Sequence, residues 1–188
     1  WIETNFTLEG SSLFNFLDNA LWEELQTSRG WVYVDYPSIS EEELAFMTPE
    51  QRKSISPYPV IIEAENVINV QSNIHPVTRK KTLTRFITRY LTERYTKDNP
   101  WHPSYVDTVS DHYLDDSGSL VIDIYEKEGI GELIEITNGE VRQQYEERLA
   151  ESGFTKVDTI LPMSWGKRLQ DIPAWPLNGQ IEPIEPIL

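Results

Sequence analysis

Ser28-Arg29-Gly30-Trp31-Val32-Tyr33-Val34-Asp35-Tyr36-Pro37 joins a helix to a strand and closes the strand with a stop. Gly30 follows the last turn of a helical pattern, as glycine does just past a helix C-terminus. Trp31 to Tyr36 is rich in aromatic and β-branched residues, the composition of a strand. Pro37 has no N–H to give to a ladder and ends it. The run carries architecture rather than chemistry.

Upstream, Ser11 and Ser12 offer a helix cap. Leu13, Leu17, Leu21 and Leu25 recur every fourth residue, and Phe14, Phe16, Ala20 and Trp22 widen the stripe. The spacing predicts an amphipathic helix whose Leu/Phe/Trp face is core, with a subunit interface as the alternative. Trp22 and Trp31 belong to the expected core, together with Val32 and Val34.

Downstream, residues 38–56 are polar and acidic, with helix starts at Ser40-Glu41-Glu42-Glu43 and Thr48-Pro49-Glu50. Pro57 to Ile62 predicts a short strand that turns into Val67 to Val70. Residues 71–81 read as a linker ending in the basic run Thr78-Arg79-Lys80-Lys81. That run either meets a phosphate or an acidic neighbour or is a solvated loop.

Residues 82–96 fit two periods. Leu83, Ile87, Leu91 and Tyr95 are helically spaced, yet five threonines favour a strand. Asp98 to Pro103 predicts a loop. Tyr105–Leu114 and Leu120–Glu126 predict strands joined by the turn Asp115-Asp116-Ser117-Gly118. Residues 137–152 are again ambiguous. Thr137 and Glu140 form a capping box, and Val141, Tyr145 and Leu149 share a face in either conformation. Their propensity favours helix. Pro162, Pro173 and Pro176 punctuate an extended C-terminal arm.

Taken in order, Arg29-Gly30, Val34-Asp35-Tyr36-Pro37, Pro57-Tyr58-Pro59-Val60-Ile61, Glu65-Asn66-Val67-Ile68-Asn69 and Gly166-Lys167-Arg168-Leu169 to Ile172-Pro173 resemble the portal proteins of tailed bacteriophages. The likeness is narrower to a portal-like family formerly catalogued as a domain of unknown function. It covers roughly residues 10–187 and implies the wing-type part of a portal. It implies that 82–96 is a long strand, and that 137–152 is a strand pairing with Phe154–Leu161 across Glu151-Ser152-Gly153. The expected fold is α+β: an N-terminal amphipathic helix packed on a largely antiparallel meander sheet, with a Pro-rich arm. The expected division is 1–70 (helix and first strands), a 71–81 linker, the 82–162 meander of the same domain, and a 163–188 arm leading toward a stem. The chain reads as part of a longer protein.

The resemblance also implies a structural, non-enzymatic role with no cofactor. It implies a closed ring of about a dozen copies, with contacts to the major capsid protein, the terminase and a head–tail adaptor. Duplex DNA would pass through non-specifically, and no membrane would be involved. The expected location is the virion vertex, after assembly in the host cytoplasm.

Composition agrees with that class. Thirty-one acidic residues against 16 basic give a net charge of −15, the wrong sign for gripping phosphates. An acidic wall suits a sliding duplex, and acidity also keeps a large assembly soluble. With no cysteine there is no disulfide framework or thiolate chemistry. No run of residues is apolar enough to span a bilayer.

Catalytic patterns are missing. There is no Gly-rich phosphate loop and no nucleophile elbow. His75, His102 and His112 match no zinc spacing. Asp107 and Asp111 share one face of a strand, so a metal-dependent nuclease using Asp107, Asp111 and Glu126 is the alternative function; backbone capping near the turn is the structural reading. A non-portal virion adaptor is a blander one. Asp35 is expected to bond turn N–H groups near Pro37. The candidate interface residues are Trp101, Trp165 and Trp175, in loops where Trp anchors protein contacts, together with Arg79, Lys80 and Lys81.

Overall fold

The computed structural model describes residues 6–7, 10–36, 46–48, 57–74, 76–77, 79, 81–96, 99–130, 142–164 and 167–177. The fold is α+β, with an N-terminal helix and antiparallel sheets. It divides into two compact units. The first comprises residues 1–65 and 173–188, and the second comprises 66–172. The expected single body over 1–162 with a trailing arm is therefore replaced by one unit interrupted by another.

The first unit holds helix α1 (Leu13–Thr27) and strands β1 (Trp31–Asp35), β2 (Tyr58–Ile62) and β10 (Ala174–Pro176). Ser12 caps α1, its Oγ accepting from the Asn15 N–H at 3.2 Å. At the other end Ser28, not Gly30, takes the left-handed conformation that closes the helix (φ 56°). Gly30 is required for a different reason. A Cβ there would lie 2.7 Å from Glu23 Cγ and 2.8 Å from Leu177 Cδ1.

β1 is the central strand of the order β10-β1-β2. Its buried residue is Tyr33; Trp31, Val32 and Val34 are only half-buried. The arm is thus partly ordered by pairing: β10 supplies a partner for Trp31–Tyr33. Asp35 Oδ1 accepts from the Tyr36 N–H, the predicted local bond, and its Oδ2 also accepts from the Tyr58 hydroxyl across the β1–β2 pair, both at 2.8 Å. Acidic residues 38–45 and 49–56, with both predicted helix starts, lie largely outside the described residues.

α1 sits the other way round from expectation. Phe16 and Ala20 are buried, whereas Phe14, Leu17, Leu21, Trp22 and Leu25 are exposed. Trp22 is 65% exposed, so it is not core. The helix is held along its narrower edge. Glu23 Oε1 accepts from the Ala64 N–H at 3.1 Å, and Phe16 meets the Phe6 ring edge-on at 5.4 Å.

The second unit is a five-stranded antiparallel meander in the order β3-β4-β5-β6-β7. Its strands are β3 (Val67–Ile74), β4 (Lys81–Thr96), β5 (Asn99–Leu114), β6 (Leu120–Glu128) and β7 (Thr155–Ile160). Segment 82–96 is a strand, the alternative that the five threonines favoured and the resemblance implied. Two calls shift. Residues 71–74 of the expected linker belong to β3, and 99–103 of the expected loop belong to β5. A short pair, β8 (Met163–Ser164) with β9 (Lys167–Arg168), follows the meander.

Residues 142–151 overturn the strand expectation. They form helix α2 (Arg142–Glu151), and β7 pairs with β6 instead. Residues 137–141, including the proposed capping box, lie outside the described residues. The helix wins because Glu151-Ser152-Gly153 is a helix stop rather than a hairpin turn. Gly153 has φ +88°, its N–H reaches the Ala150 carbonyl, and the Phe154 N–H reaches the Leu149 carbonyl at 2.9 Å. That is the paired bond pattern of a glycine C-cap, with Phe154 and Leu149 as its apolar contact. Tyr145 and Leu149, one turn apart, then join Ile87, Val109, Tyr125 and Phe154 in the core.

Candidate functional site

Strand alternation puts Arg85, Ile87 and Arg89 of β4 on one face with Asp107, Val109, Asp111 and Tyr113 of β5 and Asp123 and Tyr125 of β6. The Ile87–Val109–Tyr125 strip packs under α2 in the same core as Tyr145 and Leu149. Around that strip lies a set of buried charges.

Each carboxylate has its own arginine. Arg85 donates to both oxygens of Asp111, from Nε at 3.0 Å and Nη2 at 2.6 Å. Arg89 donates in the same forked manner to Asp107, with Nε at 2.8 Å. Arg85 also lies over the Tyr145 ring, 5.0 Å from its centroid. Forked guanidinium–carboxylate pairs are the strongest form of this contact.

Asp111 and Asp123 stand directly opposite each other on β5 and β6, and both are fully buried. Like charges in that position repel. The surroundings separate them. Burial pushes the Asp111 carboxyl above the ordinary carboxylate range, against the pull of Arg85. Burial opposes ionisation of Asp123 too. There, hydrogen bonds from Lys156 and Thr159 and the charges of Lys156 and Arg142 outweigh it and hold the carboxyl low. The contacts are Thr159 Oγ1 at 2.8 Å, Lys156 Nζ at 2.7 Å, Arg142 Nη2 at 2.7 Å and the Tyr113 hydroxyl at 3.2 Å. Arg142, at the start of α2, also stacks on Tyr113 at 3.6 Å and pairs with Glu146.

Split carboxylate pKa values are the mark of acid–base pairs. Here the oxygens are sealed and engaged by arginine, lysine and hydroxyl donors, and the arrangement works as an internal clasp between α2 and the sheet. The nuclease constellation is not brought together: Glu126 alternates to the opposite face and pairs with Arg94 at 3.1 Å. Among the described residues, no group of three or more His, Cys, Asp or Glu is arranged to hold a metal. His112 is buried against Phe86, edge-on at 5.8 Å, and desolvation lowers its pKa to about 3.

The surface is where the large apolar side chains are unengaged. β3 pairs with β4 only over 81–88, and β6 pairs with β5 over 107–114, with one further bridge from Gly129 to Val106. The rest of the β4–β5 hairpin projects as a two-stranded ribbon, roughly 25 Å long at the rise of a strand. Leu91 and Tyr95 on β4, and Trp101 and Tyr105 on β5, are exposed there. The Glu93↔Tyr105 register and strand alternation put Leu91, Tyr95 and Tyr105 on one side, where the Tyr95 hydroxyl donates to Glu93 at 2.8 Å, and Trp101 lies in the stretch where the register breaks, between the Arg94↔Ser104 and Thr96↔Asn99 pairs.

Of the interface residues read from sequence, Trp101 is 86% exposed on this ribbon, in a strand rather than a loop. Trp175 is exposed on β10 in the other unit. Arg79 and Lys81 are exposed where the chain enters β4, Arg79 with a left-handed backbone. Trp165 and Lys80 lie outside the described residues. Sequence reasoning missed the apolar ribbon face and the arginine clasps. The clasps had a signal: Arg85 and Arg89 are four apart, as are Asp107 and Asp111, so neighbouring antiparallel strands can match them.

Among the described residues no helix is long and apolar enough to cross a membrane. No family model matches the chain, and no curated protein matches it significantly.

Proposed function

We propose that this chain is a structural module of a tailed-phage portal, part of the ring through which genomic DNA is packaged and ejected. The observation that carries the reading is the division of labour between interior and surface. The charged groups of the meander face are tied into the clasp beneath α2. Large apolar side chains are displayed on two regular elements, α1 and the β4–β5 ribbon. A surface built that way serves assembly. The motif order supports the same reading, because Val34-Asp35 and Tyr58-Pro59 form one antiparallel pair.

In a portal the chemistry is geometric. Copies close a channel, and a protein of net charge −15 lets a duplex slide instead of holding it. Capsid protein, terminase and head–tail adaptor are the expected neighbours. Electron microscopy of the full-length protein tests the reading. Closed rings with a central channel are expected, and a protein that stays unassembled, or forms only open filaments, refutes it.

A further inference from the structure

We draw no further inference here: the strongest candidate, the apolar stripe that α1 turns outward (Phe14, Leu17, Leu21, Trp22 and Leu25), is an unpartnered helix face, and nothing in the structure shows what covers it.

Discussion

Asp111 illustrates how a single residue can be costly to remove yet weak as a source of stability. Taking Arg85 and Asp111 out of water costs several kcal/mol per ion, and their attraction only roughly repays it. Removing one partner leaves the other buried and bare. D111A should therefore destabilise the fold by about 3–5 kcal/mol, while R85M/D111L should be near neutral or mildly stabilising. Urea unfolding of both variants decides it, and equal losses would contradict the account. His112 gives a pH signature. Its folded pKa is lowered to about 3 from 6.5, because burial disfavours the imidazolium. The unfolded chain takes up the proton first, so this stability is complete above pH 6.5 and lost as the pH falls. Between pH 7 and pH 5 the loss should be about 2 kcal/mol. H112Q should flatten that segment of the stability–pH curve.

At the scale of elements, α2 depends on its stop. Gly153 has φ +88°, and a Cβ there would meet only Lys127, at an ordinary 3.6 Å. Alanine would fit the space but not the backbone. G153A should cost about 1–2 kcal/mol, read as a lowered melting temperature, with G153N less harmful because Asn tolerates the left-handed region. This glycine also shows where the sequence was ambiguous. Glu151-Ser152-Gly153 suits a hairpin or a helix end equally well, and only Phe154 packing on Leu149 chooses between them. The meander was legible because Ile122 and Ile124 alternate with polar residues and the Asp115–Gly118 turn is unmistakable; Asp115 there accepts from both the Ser117 and the Ser119 N–H. α1 was legible as a helix but not in its rotation. Periodicity finds a stripe without saying whether this chain or another covers it. The buried edge was fixed by Glu23 reaching Ala64, a contact distant in sequence.

The whole molecule is one unit inserted into another. The inserted unit, 66–172, has its own five-stranded sheet, helix and core. Residues 66–172 expressed alone should unfold in a single cooperative transition by circular dichroism, and a non-cooperative melt would contradict its independence. The interrupted unit is different. β1 needs β10, and Tyr33 pairs with Ala174. During synthesis, at about 5–20 residues per second, β1 waits on the order of ten seconds for that partner to be made. In that interval the entire meander is synthesised. Birth order thus sets folding order: the later-encoded sheet matures first, and the strand that announced the fold in the sequence is among the last to find its place.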